Sequence, residues 1–394
     1  MCRTKERKNP VVSIDPTNNP SQERKPVPLP PIQSLQRFLT NAYLAEQINL
    51  EPSTMVINGF TLKNKEAAIS IILIDTDGNN HYAEINGTKM HYSGSLVKVA
   101  ALYAAFDLRA TARKHAKDNN SLDQNAFFTS LTSAIDTRIV IQRLKDFGKG
   151  LKPDLTKIFK GFKDTGLNKV EFIDSFQTDL DNIGENVNAG RIIRALGYSY
   201  INLSMLRGNF FSEATLKGVW LAGDYSQESI LKSVRVPVEN DIVPGGSGQA
   251  ITTKEMSRMF QLIHTKQGLS HVTDVSEKAA GNKGMHDILI TEGSFFFGAN
   301  ATVNISVPPK FSKDCAKVGI GTLGPIGTPG PLVISEGDVM KWSNNTEVTN
   351  FNTKYKRKLT GDFALCWQNM YQPNAHFDAL VRILNTSIQN FLTQ

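Results

Sequence analysis

The chain has 394 residues, 40% hydrophobic and 21% charged, a balance typical of globular proteins and unlike disordered, collagen-like or coiled-coil sequences. Its 44 basic and 37 acidic residues give a net charge of +7. Because these charges are spread along the chain, we expect a solvated basic surface and no nucleic-acid partner. Three cysteines exclude a disulfide scaffold, and no apolar run reaches the about 18 residues of a membrane-spanning helix.

Residues 1–31 are predicted to form a disordered, proline-rich tail. The stretch from Lys25 to Pro31 favours an extended conformation over a packed core. Its spacing also fits an SH3-domain ligand, although a plain tether is the favoured interpretation. No apolar segment follows the basic start, so no signal peptide is visible. We therefore expect a cytoplasmic protein by default, and a periplasmic or secreted one if the start is truncated.

Residues 32–106 are predicted to contain a helix, a β-hairpin and a second helix. Apolar residues at helical spacing indicate the first helix over residues 32–47. A β-branched run over residues 67–75, followed by turn residues and a second strand over 81–85, indicates the hairpin. A buried helix is predicted over residues 94–117, apolar on nearly every side over its first three turns.

The rest of the chain changes from helical patterns to strands. Helices are predicted over 125–147, 155–162, 169–180 and 189–206. Strands are predicted over 302–306, 315–322, 332–342 and 361–369, followed by a helix over 375–391. We therefore expect an α/β sheet domain, formed by residues 32–106 and 245–394 and interrupted by an all-helical domain of residues 107–244.

A serine and a lysine lie one helical turn apart at the start of the apolar helix. Ser95 and Lys98 share a face of that helix, so their side chains can meet. The helix N-terminus favours negative charge on the serine oxygen, and a buried lysine loses proton affinity. Lys98 can then be the base that activates Ser95. The alternative is a serine cap followed by a lysine whose amine reaches solvent.

This Ser-x-x-Lys helix, placed after a strand hairpin, resembles the serine β-lactamase and penicillin-binding-protein superfamily. The family's second element is Ser-x-Asn or Tyr-x-Asn on the helical domain. Tyr200 and Asn202 match its tyrosine variant. The resemblance covers residue 32 to the C-terminus and implies an antiparallel sheet flanked by helices.

The third family element is Lys-Thr-Gly on the edge strand of the sheet, and Lys317-Val318-Gly319 matches it. The family places a Thr-capped helix before that strand. Thr252 and Glu255 have the spacing of a capping box and match the start of this helix. The order of the elements therefore agrees with the resemblance.

The resemblance implies a role for each matched residue. Ser95 would attack a carbonyl group and become acylated, with Lys98 as the general base. Tyr200 would carry a proton to the leaving group, the alternative being a tyrosine of the helical core. Asn202 would hold Lys98 and the substrate amide, the alternative being a cap or a surface amide.

On the edge strand, Lys317 would supply positive potential that attracts an anionic substrate, and Gly319 would let the substrate approach the strand. The N–H groups of Ser95 and Ile320 would form the oxyanion hole. Val318 replaces the hydroxyl residue that helps to bind the carboxylate of a β-lactam. This replacement argues against an efficient lactamase.

Deacylation requires a base that activates water. Class A β-lactamases use a glutamate in the loop before the Thr-capped helix, followed closely by an asparagine. In this chain Glu239 lies in the corresponding loop but directly precedes Asn240. Glu239 is therefore either the deacylation base or a loop charge. Without a base, slow deacylation is expected, which is the behaviour of a penicillin-binding protein.

The sequence thus predicts a serine hydrolase that is acylated at Ser95 by a small amide, ester or β-lactam. One alternative is an inert or slowly deacylating relative that binds a ligand or partner in the same cleft. Another is a cell-wall transpeptidase or carboxypeptidase, against which the missing export signal counts. No cofactor is implied. The seven histidines form no pattern typical of metal ligands, so no metal site is expected.

Overall fold

A five-stranded antiparallel sheet forms the centre of this computed structural model. In order across the sheet, its strands are β11 (Phe311–Thr322), β12 (Leu332–Trp342), β13 (Leu359–Met370), β3 (Ala68–Asp75) and β4 (His81–Ile85). β13 pairs with β3, so the two ends of the sequence meet in the middle of one sheet. This arrangement confirms the predicted α/β class with an antiparallel sheet.

The structure describes residues 31–51, 56–57, 60–61, 66–120, 122–136, 152–164, 167–223, 225, 235–239, 247–266, 284–297, 305–322, 332–371 and 373–394. The predicted tail lies outside these ranges except for Pro31. In the described part of the chain, no helix combines the length and the apolar character that crossing a membrane requires.

Helices cover both faces of the central sheet. α1 (Leu35–Leu50) and α11 (Pro373–Thr393) share one core with the inner sheet residues, and α2 (Lys98–Asp118) and α8 (Thr253–Thr265) share the other. Ile71 of β3 packs on the α1 side, and its neighbour Ile72 packs on the α8 side. Because both faces are buried, every position of β3 can be apolar, which explains its run of isoleucines.

The segment 107–244 contains strands as well as helices, so the all-helical prediction is wrong. Its helices are α3 (Gln124–Asp136), α4 (Leu155–Ile158), α5 (Asp174–Asp181), α6 (Asn186–Leu196) and α7 (Tyr198–Arg207). Its strands are the hairpin β6 (Phe159–Asp164) and β7 (Leu167–Phe172), together with β8 (Phe211–Ser212) and β9 (Lys217–Leu221). In β7, buried Val170 and Phe172 alternate with Lys169 and Glu171, a two-residue period that predicts a strand. Residues 32–394 form one compact unit, and the division at residues 106 and 244 stays a prediction.

A second sheet leads into the candidate site. Its strands, in order, are β5 (His91–Tyr92), β10 (Gln249–Ile251), β9 and β8. β10 runs directly into α8, where the Thr252 hydroxyl accepts a hydrogen bond from the Glu255 N–H and confirms the predicted cap. The remaining elements are α9 (Met285–Thr291), α10 (Asn345–Tyr355) and the short pair β1 (Val56–Ile57) and β2 (Phe60–Thr61).

Candidate active site

Ser95 lies in a single 3-10 turn, Gly94–Val97, between β5 and α2. Its side chain is partly buried. Gly94 adopts φ +54°, and a Cβ at this position would lie 2.7 Å from the carbonyl oxygen of Ile320 on β11. Only glycine tolerates both conditions without strain. The turn that carries Ser95 is therefore packed directly against the edge strand, as the resemblance implies.

Gly319 of β11 lies beneath this turn. A Cβ on Gly319 would be 2.1 Å from the Ser93 carbonyl oxygen and 2.7 Å from the Leu96 nitrogen. Ser335 of β12 donates its hydroxyl to the same Ser93 carbonyl at 2.7 Å. Gly319 was expected to give a substrate access to the strand, but the chain's own turn occupies that space. Its role is therefore corrected to positioning Ser95.

Lys98 begins α2 and is fully buried. Its Nζ donates hydrogen bonds to the Gly184 carbonyl at 2.6 Å and to Asn186 Oδ1 at 2.8 Å. The ring of Tyr225 lies 4.7 Å from the same Nζ. Burial, followed by the nearby Lys317 amine, lowers the pKa of Lys98 to about 7. A substantial fraction of Lys98 is therefore neutral at neutral pH.

Asn186, and not Asn202, holds the Lys98 amine. Asn202 is fully buried, and its Nδ2 donates to the carbonyls of Tyr198 at 3.1 Å and Leu221 at 2.8 Å. Its Oδ1 accepts from the Leu221 N–H at 3.1 Å. These bonds join α7 to β9 and engage both ends of the amide. The interpretation of Asn202 as a substrate-binding residue is therefore corrected to a structural role.

Tyr200 is also buried away from the candidate nucleophile. Its hydroxyl donates to Asp107 Oδ2 at 2.8 Å, an oxygen that also accepts from Ser204 and pairs with Arg207. Asp107 follows Lys98 by nine residues on α2. At about 1.5 Å per residue this places it roughly 13 Å along the helix. Tyr200 therefore cannot transfer a proton at the serine, and its predicted catalytic role is wrong.

Tyr200→Phe should lower stability without slowing acylation of the serine. The change removes one hydrogen bond to a buried carboxylate, which contributes about 1.5–3 kcal/mol, while Ser204 and Arg207 still satisfy Asp107. Denaturant unfolding and the rate of labelling by a fluorophosphonate measure the two effects. Asn186→Ala is the comparison, because it should slow labelling. A hundredfold slower reaction of Tyr200→Phe would contradict the assignment.

The second motif of the resemblance is replaced by Gly184-Glu185-Asn186. Its asparagine has the predicted partner, Lys98, and it begins α6. A glycine stands where the motif requires a hydroxyl residue. Because the motif requires a hydroxyl residue at this position, the sequence pattern does not identify Gly184-Glu185-Asn186. The remaining signal, an asparagine at the start of an amphipathic helix, is too common to identify a site.

A carboxylate fills the space beside Gly184. A Cβ on Gly184 would lie 2.7 Å from Glu292 Oε1, and Glu292 Oε2 lies 3.0 Å from Lys317 Nζ. Lys317 is nearly buried on the edge strand β11, where it was predicted. Two lysines and one carboxylate therefore converge next to Asn186. Glu292 belongs to no sequence motif, so only the structure identifies it.

The structure leaves the roles of Ile320 and Glu239 as predictions. The Ile320 side chain is 50% exposed, and its strand borders the turn of Ser95. Glu239 is exposed, and its backbone N–H donates to the Met90 carbonyl at 2.8 Å. Asn240 lies outside the described residues.

Two histidines and an aspartate form a second cluster, although the spacing of the histidines in the sequence indicates no metal site. His264 of α8, His286 of α9 and Asp314 of β11 each offer a ligand atom, and these atoms lie within 4.8 Å of one another. The three residues come from three elements, so no spacing in the sequence could reveal them.

No protein-family model matches the chain, and no curated protein does. The chain is similar in structure to β-lactamases from Sphaerobacter thermophilus (10% identity, 90% of this chain and 97% of that chain, TM-score 0.40) and Chitinophaga pinensis (10% identity, 91% and 98%, TM-score 0.42). It is also similar to the TP domain of penicillin-binding protein 3 from Burkholderia pseudomallei (10% identity, 91% and 92%, TM-score 0.38). TM-scores below 0.5 do not assign an activity.

Proposed function

We propose that this chain is a serine hydrolase that forms an acyl-enzyme through Ser95. The observation that supports this most is the buried amine of Lys98. It has a pKa of about 7, it is held by Asn186, and it lies one helical turn from Ser95 at the start of α2. Among the described residues, its hydrogen-bond acceptors are the Gly184 carbonyl and the Asn186 amide oxygen, which are both neutral, so the amine is suited to accept a proton from a hydroxyl group.

In the proposed mechanism, Ser95 Oγ attacks the carbonyl carbon of the substrate and its proton passes to neutral Lys98. The N–H groups of Ser95 and Ile320 stabilise the negative charge on the tetrahedral oxygen. Lys98 then returns the proton to the leaving group, because Gly184 offers no hydroxyl for this step. Water finally hydrolyses the acyl ester and releases Ser95.

The substrate is proposed to be a small amide or ester without a carboxylate near the reacting bond. Lys317 already pairs with Glu292 at 3.0 Å, so part of its attraction for an anion is neutralised. Val318 supplies no hydroxyl that could bind a carboxylate. Both features argue against the carboxylate-bearing β-lactams and favour neutral substrates.

Reaction with a fluorophosphonate and a fluorescent penicillin tests the proposal. Wild-type protein should be labelled by the fluorophosphonate, with the mass increase on the peptide that contains Ser95, and weakly or not at all by the penicillin. Ser95→Ala should not be labelled, and Ser93→Ala, a serine two residues away, serves as the control for the turn. Failure of both reagents on folded wild-type protein would reject the enzyme proposal.

A protein that binds a ligand in the same cleft and deacylates slowly is the second candidate. It is favoured by the exposed position of Glu239, the residue that the resemblance implies as the base for deacylation. Intact-protein mass spectrometry separates the two candidates. A persistent acyl-enzyme with no product from a chromogenic ester would support the ligand-binding protein that deacylates slowly. Steady turnover of the ester would support the hydrolase. Glu239→Gln should trap the acyl form only if Glu239 is the base.

A further inference from the structure

We propose that His264, His286 and Asp314 form a binding site for zinc or a similar divalent transition metal. Asp314 Oδ2 lies 3.1 Å from His264 Nδ1 and 2.6 Å from His286 Nε2. The rings of the two histidines have centroids 5.6 Å apart. Three potential ligand atoms thus face one another across the junction of α8, α9 and β11.

The two distances from Asp314 are close to those of a tetrahedral site, and the nitrogens of the two histidines lie within 4.8 Å of each other. Zinc binds imidazole nitrogen and carboxylate oxygen at about 2.0–2.2 Å, which places neighbouring ligand atoms roughly 3.3 Å apart. The two contacts of Asp314 require shifts of less than about 1 Å to reach that value. Two imidazoles with one carboxylate suit zinc and other late transition metals, whereas calcium and magnesium prefer oxygen ligands only.

A second carboxylate supports one of the proposed ligands. Asp362 Oδ2 of β13 lies 3.2 Å from Nε2 of His264, the ring nitrogen that does not face Asp314. A carboxylate on the other nitrogen is the usual partner of a metal-binding histidine, because it sets the tautomer and the orientation of the ring. His264 is therefore held with one nitrogen toward the cluster.

The cluster is also accessible to an ion. The side chains of His264, His286 and Asp314 are 20%, 22% and 34% exposed, so water can complete the coordination. The site would lie beside the candidate active site, because Asp314 precedes Lys317 by three residues and Glu292 directly follows α9. A bound ion would tie α9 to β11 and so support the Glu292–Lys317 pair.

Titration of the full chain with zinc alone tests the proposal. Protein without a histidine tag is first dialysed against a chelator, and binding is followed by calorimetry. Wild-type protein should bind one equivalent. His286→Ala and Asp314→Asn should bind at least about tenfold more weakly, and Asp362→Asn about 10–100-fold more weakly. His115→Gln, a histidine of α2 outside the cluster, should bind like the wild type.

Two results would overturn the site. One is the absence of stoichiometric zinc binding by wild-type protein, which would identify the cluster as an ion-pair network. The other is undiminished binding by His286→Ala. If the variants do not fold, the visible spectrum of wild-type protein loaded with cobalt(II) tests whether the cluster binds a metal. An intense four-coordinate spectrum supports the site, and a weak spectrum like that of hydrated cobalt rejects it.

Discussion

Gly319→Ala is expected to destabilise the protein by about 3 kcal/mol or more and to slow labelling of Ser95 at least about a hundredfold. The new Cβ would lie 2.1 Å from the Ser93 carbonyl oxygen and 2.7 Å from the Leu96 nitrogen. Both are backbone atoms of the turn that carries Ser95, so no side-chain rotation can relieve the contact. The turn must move away from β11, and the nucleophile moves with it.

Thermal unfolding and the second-order rate of fluorophosphonate labelling measure the two effects of Gly319→Ala. Gly293→Ala is the matched control, because nothing lies within 4 Å of a Cβ at Gly293 and its φ is not in the left-handed region. The control should retain the stability and the labelling rate of the wild type. Labelling of Gly319→Ala at the wild-type rate would show that the turn does not depend on this close contact.

The second large effect concerns the pH dependence of acylation. The rate of Ser95 labelling should rise about tenfold per pH unit up to pH 7 and level off above it. The neutral amine of Lys98 is the active base, and its pKa is lowered to about 7 by burial and by Lys317. Below that pH the protonated fraction dominates, and the amount of active base falls with each unit.

Two substitutions test whether Lys98 is the group that titrates. Lys98→Arg should reduce the labelling rate about 10²–10⁴-fold at every pH, because a guanidinium does not lose its proton. Asn186→Asp should move the profile upward by about one pH unit or more, because a carboxylate would replace the amide oxygen 2.8 Å from Lys98 Nζ. Lys341→Arg, an exposed position of β12, is the control. A flat profile between pH 6 and 8 would exclude Lys98 as the base.

Local patterns predicted much of the fold. The run of isoleucines in β3 and the cap at Thr252 depend on neighbouring residues only, and both are where the sequence places them. The errors in segment 107–244 have a local cause as well. The two-residue alternation in β7 spans only residues 169–172, which is too short to outweigh a helical pattern, and the pairing of β6 with β7 decides the outcome.

For the candidate active site as well, some residues were predicted from the sequence and others were not. The sequence by itself determined that Ser95 and Lys98 lie one turn apart where α2 begins and that Lys317 lies on a strand, because these facts follow from local spacing. The assignment of Asn202 failed because an asparagine two residues after a tyrosine is a pattern that many buried helices share. Its amide joins α7 to β9 instead.

Only the tertiary structure decided which residues meet Lys98. Asn186 lies on α6 and Glu292 directly follows α9, and packing brings Asn186 to Lys98 and Glu292 to Lys317 and Gly184. The same holds for His264 and its partners in the second cluster. Contacts between elements depend on the positions and angles at which whole helices and strands pack. The spacing of residues within one element does not specify these positions and angles.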